Sequence, residues 1–271
     1  MKMDMHCHTK EGSLDAFATM EEYVSRLMEL GYDGMMITDH NSYRGYDNWL
    51  TVRDKIEASL GPDRHFTVLR GIEYDTHNGG HMLIVLPDGA KSRIFEARGL
   101  SVEHLQKAVH EMGGIIGPAH PYGNGYYAFM KTHKGKKNPH LMENFDFVET
   151  FNGKTNLLSN NLAGILAMKF NKPGIAGSDS HVAKDMGTVY TIFEEDIRSN
   201  NDLIDYILAG KKTEVGGQAY IKLYHFYTKF IEKCGIGGYW VYYKVGTVYR
   251  TPARSRARKE FRKKYGRLSL R

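Results

Sequence analysis

The stretch Asp4-Met5-His6-Cys7-His8-Thr9 places two histidines two residues apart near the start of the chain. Its apolar surroundings predict a β-strand over residues 3–9. Side chains two positions apart in a strand point to the same face, so His6 and His8 can hold one metal ion together while Cys7 faces away. Two histidines in a strand are, on their own, more typical of half-buried polar residues. A metal site therefore requires further ligands elsewhere in the chain.

Further histidines and carboxylates stand beside apolar runs that predict strands. His40, Glu73 and His120 each lie at the end of such a run or just after it, and His81 opens another. The predicted strands cover residues 35–40, 67–73, 81–86, 115–120, 145–151, 174–177 and 188–193. The candidate ligands are His6, His8, Asp15, His40, Glu73, His81, His120, Asp179 and His181.

Helical patterns alternate with these strands. The capping box Thr19-x-x-Glu22 begins the first helix, and Ser101 is predicted to cap a later one. The alternation predicts a mainly parallel sheet, and seven or eight strands in 271 residues favour a closed α/β barrel over an open doubly wound sheet. Catalytic groups in such barrels lie at the carboxyl ends of the strands. Residues 122–141 are rich in glycine, lysine and tyrosine and are predicted to form a long loop at that end.

The composition is that of a globular protein outside the membrane, with 41% hydrophobic and 25% charged residues. No apolar run approaches the ~20 residues that a membrane span requires. The chain enters its first predicted strand at once, without the apolar stretch of a signal peptide. Its two cysteines, Cys7 and Cys234, do not suggest a disulfide framework. We therefore expect a cytoplasmic protein.

The net charge of +6 comes from one end of the chain. Residues 250–271 contain ten lysines or arginines and one acid, whereas the rest of the chain is slightly acidic. We divide the chain into a barrel domain, residues 1–249, and this basic segment. A helix is predicted between Thr251 and Gly266, with an apolar side that can dock on protein, formed by Ala253, Ala257, Phe261 and Tyr265. Its basic residues could contact nucleic acid or a partner protein, or could simply be solvated.

The candidate ligands combine imidazole and carboxylate groups, which suit Zn²⁺, Mn²⁺ or Fe²⁺. Nine of them exceed the three or four protein ligands of a single catalytic ion, so a cluster of two or three ions is expected. Such a cluster can lower the pKa of a bound water toward ~7 and provide a hydroxide nucleophile without serine or cysteine. The same ions would neutralise the charge of a phosphate.

Five short motifs follow one another along residues 4–193. They are His6-x-His8, Thr38-Asp39-His40-Asn41, Gly71-x-Glu73, Ala119-His120-Pro121 and Ser178-Asp179-Ser180-His181. These motifs resemble, in the same order, those of the PHP (polymerase and histidinol phosphatase) superfamily. The resemblance implies a distorted (β/α)7 TIM-like barrel with a trinuclear metal site that hydrolyses phosphoesters.

The resemblance also implies a role for each ligand. Glu73 would bridge two ions, and Asp39 would orient His40 from behind. Asp15 could instead be an ordinary turn residue, and His77 competes with His81. The first ion would be held by His6, His8, Glu73 and Asp179, the second by Glu73, His81 and His120, and the third by Asp15, His40 and His181. Glu149 and Asn152 could line the site or satisfy backbone groups.

On the substrate side, a phosphate requires donors for the oxygens that no metal binds. Arg44 is the first candidate, followed by Lys134, Lys136 and Lys137. Tyr122, Tyr126 and Tyr127 could stack on a ring of the substrate or pack among themselves. We expect a metal-dependent phosphoesterase that hydrolyses a small phosphomonoester. The alternatives are a nuclease or oligonucleotide hydrolase that uses the same metals, and an interaction module without catalysis.

Overall fold

The first strand, β1 (Lys2–Cys7), lies inside a seven-stranded sheet in the computed structural model of the chain. The model describes residues 1–60, 65–123, 127–219, 241, 245–246 and 248–265. The strand order of this sheet is β5-β4-β3-β2-β1-β8-β9, and β6 and β7 form a separate pair. The other strands are β2 (Gly34–Ile37), β3 (Thr67–Asp75), β4 (His81–Val85), β5 (Ile115–Pro118), β6 (Val148–Asn152), β7 (Gly174–Gly177), β8 (Val189–Phe193) and β9 (Thr213–Gly217).

Strands β1 to β7 curl into a ring because backbone hydrogen bonds join the β6–β7 pair to both sides of the larger sheet. On one side, the amide of Asp146 donates to the carbonyl of Ile116 at 2.8 Å. On the other side, the amide of Asp179 donates to the carbonyl of His6 at 2.8 Å, and the amide of His8 donates to Ser180 at 3.0 Å. The prediction of a distorted seven-stranded α/β barrel is therefore confirmed.

Two glycines allow this ring to close. A Cβ atom at Gly117 in β5 would lie 2.5 Å from ring carbons of Phe147, next to β6. A Cβ atom at Gly177 in β7 would lie 2.1 Å from the Cβ of His6 in β1. Both distances are far below any real contact between such atoms, so only glycine lets the neighbouring backbones approach this closely.

The prediction of a mainly parallel sheet is wrong. The pairs β1–β2, β2–β3 and β6–β7 are parallel, whereas β3–β4, β4–β5, β1–β8 and β8–β9 are antiparallel. Only a short turn connects β3 to β4, and a parallel pair requires a crossover of a dozen or more residues. The antiparallel pairing places His81, at the start of β4, directly opposite Asp75, at the end of β3.

A register shift in β1 changes the face of the strand to which its later side chains point. Met3 and Met5 pack in one hydrophobic cluster, with residues of β2, β3 and β4 such as Met36, whereas Cys7 packs in another with residues of α1 and β2. Strict alternation would place all three apolar side chains of β1 on one face. The shift between Asp4 and Cys7 breaks the alternation, as a β-bulge does, and Cys7 packs behind the strand as expected.

The two helices whose caps the sequence predicts, at Thr19 and Ser101, begin at those residues. The capping box of Thr19 and Glu22 starts the first helix, and Ser101 and Asn156 cap two later ones through their side chains. The helices are α1 (Met20–Glu29), α2 (Arg44–Leu60), α3 (Val102–Glu111), α4 (His133–Lys137), α5 (Leu157–Lys169), α6 (Asn200–Leu208) and α7 (Thr251–Tyr265).

The prediction of a long loop over residues 122–141 is wrong for most of its length. This stretch contains α4 and two 3₁₀ helices, Phe129–Lys131 and Pro139–Asn144. The hydroxyl of Thr132 accepts a hydrogen bond from the amide of Gly135 and caps α4. The glycine and lysine content of this stretch favours a loop, and the prediction was based on that content. The cap that Thr132 provides stabilises a short helix there instead.

Helix α7 docks on the barrel through its apolar side. Ala257 and Phe261 are buried in a hydrophobic cluster that includes Phe95 and Leu105, and Tyr265 is partly buried against it. Ala253 is exposed, unlike the prediction. Strand β9 was not predicted, and much of the aromatic-rich stretch 218–248 lies outside the described residues, as does Gly266. Among the described residues, no helix is both long and apolar enough to cross a membrane.

Candidate metal centre

Glu73 lies at the centre of a cluster of histidines at one end of the barrel. Its Oε1 atom is 2.9 Å from Nδ1 of His81 and 3.0 Å from Nε2 of His120. Its Oε2 atom is 3.1 Å from Nδ1 of His40 and 3.4 Å from Nε2 of His8. The two carboxylate oxygens thus face different pairs of imidazoles, which is the geometry that a bridging carboxylate needs.

The other predicted ligands join the same cluster. The Nε2 atoms of His6 and His8 are 3.0 Å apart, and Oδ1 of Asp179 lies 3.3 Å from Nε2 of His8. Within each of three groups, the potential ligand atoms all lie within 4.8 Å of one another. These groups are His6, His8 and Asp179; His8, His40 and His181; and His40, Glu73 and His81.

Asp15 lies at the open side of the cluster. Its Oδ2 atom is 3.7 Å from Nε2 of His40 and 3.6 Å from Nε2 of His181, and its side chain is 52% exposed. His81 points into the cluster, whereas His77 is exposed and its amide donates to the carbonyl of Leu100. The structure thus brings Asp15 and His81 to the positions that the sequence favoured, and it places His77 outside.

Asp39 does not touch the histidine rings but holds the loop that supports them. Its Oδ1 accepts hydrogen bonds from the amide of Thr9 at 2.7 Å and from the hydroxyl of Ser13 at 2.8 Å. The Ser13 oxygen in turn accepts from the amide of His40 and lies 3.3 Å from Nδ1 of His8. Asp39 therefore orients two histidines through Ser13, which agrees with a supporting role.

Two carboxylates belong to the cluster although the sequence did not single them out as ligands. Oδ1 of Asp75 lies 3.3 Å from Nε2 of His81 and 3.7 Å from Nδ1 of His40. Asp75 follows Glu73 by two positions in the same strand, so period-two alternation was the signal that could have found it. Oε1 of Glu149 lies 2.9 Å from Nδ1 of His6.

Glu149 also accepts a hydrogen bond from the amide of His120 at 2.6 Å, so both interpretations of this residue hold. It supports the backbone of one histidine and contacts the ring of another. Asn152 donates to Glu149 at 3.1 Å and to Oδ2 of Asp179 at 3.3 Å. Glu149 and Asn152 thus form the wall of the cluster behind His6, His120 and Asp179.

The pKa values of the buried residues in the cluster depend both on burial and on the charges of their neighbours. Burial favours the neutral form of Glu73, but the charges of His81, His6 and His40 outweigh it and hold the Glu73 pKa well below its usual value. Burial likewise favours neutral His40, yet Glu73, Asp75 and Asp15 raise its pKa to about 10. Burial lowers the pKa of His8, and the neighbouring His181 and His40 add to this effect.

The donor set fits divalent cations. Two Nε2 atoms only 3.0 Å apart, in His6 and His8, can share one proton at most, whereas a cation can bind both. Within the described part of the chain, Nδ1 of His40, Nε2 of His81 and Oδ1 of Asp75 are buried and make no hydrogen bond of suitable angle, although Nδ1 of His40 lies 3.1 Å from Glu73 and the other two atoms lie 3.3 Å apart. Buried polar atoms are rarely left unpaired, so several such atoms in one cluster favour bound metal.

A cleft of about 530 Å³ opens beside Asp15 and His40. Arg44 lines it, as do the serines of two loops, Ser13 and Ser42, and two further arginines, Arg98 and Arg250. The predicted arginine therefore lies next to the candidate metal centre. The sequence did not suggest that the basic segment, through Arg250, reaches the same cleft.

Of the other predicted substrate-binding residues that the structure describes, only Tyr127 lies at the metal centre. Lys134 forms an ion pair with Glu103, and Lys136 and Lys137 are exposed on α4. Tyr122 packs partly buried against a hydrophobic cluster, which favours the packing interpretation. The ring of Tyr127 is 4.8 Å from that of His81, so this tyrosine reaches the centre. Tyr126 lies outside the described residues.

Comparisons with known proteins agree with the motifs. Residues 158–212 match the model of the PHP-associated family PHP_C. The chain is 24% identical over 131 residues to the PolC-type DNA polymerase III of Streptococcus mutans, a match over 44% of this chain. That match spans only 9% of the length of the polymerase.

Solved structures share the fold at 15–16% sequence identity. PsfC from Pseudomonas syringae aligns over 80% of this chain and 91% of its own with a TM-score of 0.59. A protein described as a metal-dependent phosphoesterase from Bifidobacterium adolescentis aligns over 77% and 96% with a TM-score of 0.52. The lesion-specific endonuclease PfuEndoQ from Pyrococcus furiosus aligns over 79% and 57% with a TM-score of 0.56. The sequence motifs and the PHP-associated match agree in their similarity to the PHP superfamily, and the solved structures share the fold of this chain.

Proposed function

We propose that this chain is a metal-dependent phosphoesterase that hydrolyses a small phosphomonoester in the cytoplasm, using two or three Zn²⁺, Mn²⁺ or Fe²⁺ ions. The observation that carries the proposal is the position of Glu73, whose two carboxylate oxygens lie within 3.4 Å of four different imidazoles. A structural role alone does not call for so many buried titratable groups, because each costs free energy to desolvate.

In this proposal the ligand atoms divide among the ions as follows. His6, His8, Asp179 and Glu73 would hold one ion, and His81 and His120 would hold a second one together with Glu73. His40, His181 and Asp15 would hold the third. When bound, such ions supply Lewis acidity and lower the pKa of water enough to provide a nucleophile at neutral pH.

Residues around the metal centre orient its ligands and can supply a hydrogen-bond donor to a phosphate. Asp39, through Ser13, fixes the orientation of His8 and His40, and Glu149 fixes that of His6. Arg44 lines the cleft beside His40 and can donate to phosphate oxygens that no metal binds. The open side at Asp15 gives a substrate access to an otherwise buried cluster.

The second candidate is a nuclease or oligonucleotide hydrolase with the same centre. Two observations favour it: the likeness in fold to PfuEndoQ, a lesion-specific endonuclease, and the basic helix α7, which begins directly after Arg250 in the cleft. A strand held by its phosphates could extend from the cleft along this helix. We place it second because the candidate metal centre is complete without any residue of α7.

The test combines metal analysis with a substrate screen. The purified protein should contain two or three transition-metal ions per chain and should hydrolyse phosphomonoesters, with activity lost on chelation and restored by metal. His120→Ala should lose both metal and activity, whereas His140→Ala, at an exposed position, should lose neither. Turnover of short oligonucleotides without turnover of phosphomonoesters would favour the second candidate, and a metal-free, inactive protein would refute both.

A further inference from the structure

Two guanidinium groups in the cleft lack carboxylate partners among the described residues. Arg44 begins α2 and Arg250 immediately precedes α7, and both side chains are exposed. Arg250 donates through Nη1 to the backbone carbonyl of Glu96 at 3.3 Å, which fixes its position without neutralising its charge. The positive end of the α2 dipole adds to the potential at Arg44.

The carboxylates that line the cleft form no ion pair with Arg44 or Arg250 among the described residues. Asp15 and Asp75 face the histidines of the metal centre, and Asp75 is also paired with Arg98. Glu96 is the remaining acid that lines the cleft; burial raises its pKa, and nearby cations that include Arg44 oppose this rise. The cleft thus combines the carboxylates and imidazoles of the metal centre with two exposed guanidinium groups that a second anion can reach.

The position of Arg250 is set by the docking of α7. The apolar side of the helix is buried through Ala257 and Phe261, and Nη1 of Arg254 donates to the carbonyl of Arg98 at 2.8 Å. Two arginines one helical turn apart, Arg250 and Arg254, therefore bind carbonyls of one segment of the barrel. This double attachment holds the start of the helix at the cleft.

We infer that Arg44 and Arg250 form an anion subsite that binds a second anionic group of the substrate, a phosphate or a carboxylate, while the scissile phosphate occupies the metal centre. The inference rests on the proposed phosphoesterase function and narrows its substrate class to phosphate esters with a second negative group. Guanidinium groups suit this role because their planar donors match the oxygens of both phosphate and carboxylate.

The test compares three substrates that share a three-carbon skeleton: glycerol 3-phosphate, 3-phosphoglycerate and 2,3-bisphosphoglycerate. The first has no second anionic group, the second adds a carboxylate, and the third adds a further phosphate. Arg250→Gln and Arg44→Gln should each raise KM for the doubly anionic substrates about tenfold, the effect of losing one charge-assisted hydrogen bond. Arg250→Gln should change neither KM for glycerol 3-phosphate nor kcat by more than about twofold.

Arg262→Gln is the matched control, because Arg262 is an exposed arginine of α7 and does not line the cleft. It should leave all three substrates unchanged. Equal effects of Arg250→Gln and Arg262→Gln, or equal loss on all three substrates, would overturn the subsite. A larger effect on 3-phosphoglycerate would identify a carboxylate site, and a larger effect on 2,3-bisphosphoglycerate a phosphate site.

Calorimetric binding of 2,3-bisphosphoglycerate to the metal-loaded protein gives a readout that does not depend on turnover. Weaker binding to Arg250→Gln and Arg44→Gln, with equal melting temperatures and metal contents, would support the subsite even if none of the three compounds is hydrolysed. Unchanged binding would refute it. Failure of the phosphoesterase proposal would show separately, as absence of phosphomonoester hydrolysis by the metal-loaded protein.

Discussion

Arg98 and Asp75 form a buried ion pair beside the histidine cluster, with Nη1 of Arg98 3.4 Å from Oδ2 of Asp75. The other oxygen of Asp75 lies 3.3 Å from Nε2 of His81. The carbonyl of Arg98 accepts a hydrogen bond from Arg254 of α7. The basic segment, the ion pair and the candidate metal centre are therefore linked by a continuous series of contacts.

Breaking this ion pair should destabilise the protein. Arg98→Met keeps much of the side-chain volume but leaves the Asp75 carboxylate without its guanidinium, and we expect the free energy of unfolding to fall by about 3 kcal/mol. Adding Asp75→Asn should recover part of the loss, because the carboxylate oxygen that faced the guanidinium then no longer carries a buried charge. Urea denaturation of the metal-free variants measures both effects. Arg26→Met, which removes an exposed pair with Glu29, should cost less than about 0.5 kcal/mol.

Glu73→Gln should remove two ions together. The neutral amide cannot bridge, because only one of its two terminal atoms is an oxygen that can bind a cation. We expect the metal content to fall by two ions per chain and phosphomonoester turnover to fall with it, as measured by elemental analysis and a rate assay on the same sample. Glu143→Gln, an exposed substitution, serves as control. Full metal content and rate in Glu73→Gln would rule out the bridging role.

The ligands should differ in their importance. Alanine at His6, His8, His120 or Asp179 should nearly abolish turnover while the barrel stays folded, because these residues lie deep in the cluster. Asp15→Ala should cost only about 10–100-fold, since Asp15 is half exposed and lies 3.6–3.7 Å from two histidines. Circular dichroism checks the fold of each variant. An equal loss at Asp15 would make it a full ligand, and normal activity with all metals bound would remove it from the set.

Local signals in the sequence were enough to predict most of the candidate ligands. A polar residue that ends an apolar run, such as His120, marks the carboxyl end of a barrel strand without any knowledge of tertiary structure. Capping residues such as Thr19 likewise act within one turn of helix. These predictions succeed because the interactions that decide them span only a few residues.

The parts that the sequence did not predict depend on contacts between distant segments. Asp75 reaches the cluster because β3 continues two residues beyond Glu73 and pairs with β4. Glu149 contacts His6 because β6 and β7 close the ring of strands. Arg250 enters the cleft because α7 docks on the barrel. None of these contacts has a signature within a window of a few residues.

Asp4 should make stability depend on pH in a specific window. Its side chain is fully buried, and burial raises its pKa from 3.8 to about 6 despite hydrogen bonds from the amides of Ser178 and His6. A raised pKa in the folded state means that the protonated acid is favoured there. Its stabilising contribution is therefore complete below pH 3.8 and is lost as the pH rises through about 6.

Asp4→Asn removes this dependence while keeping the oxygen that accepts both hydrogen bonds. We expect the difference in unfolding free energy between the metal-free wild type and this variant to change by about 2 kcal/mol from pH 4 to pH 7, to the disadvantage of the wild type. Urea titrations at several pH values measure it. A difference that does not vary with pH would show that Asp4 titrates alike in the folded and unfolded states.

Closure of the barrel at Gly177 should control the metal centre. In Gly177→Ala the added Cβ would meet the Cβ of His6 at 2.1 Å, so β7 must move away from β1 and take Asp179 away from His6 and His8. We expect a loss of about 3 kcal/mol of stability, typical of overpacking, together with weaker metal binding.

Gly164→Ala is the matched control, because nothing lies within 4 Å of a Cβ at this position of α5. It should stabilise the protein by about 0.5–1 kcal/mol through helix propensity and leave metal binding unchanged. Melting curves measure the stability of both variants, and metal titrations measure their affinity. A Gly177→Ala protein with native stability and metal affinity would show that β7 and β1 do not approach each other as closely as described.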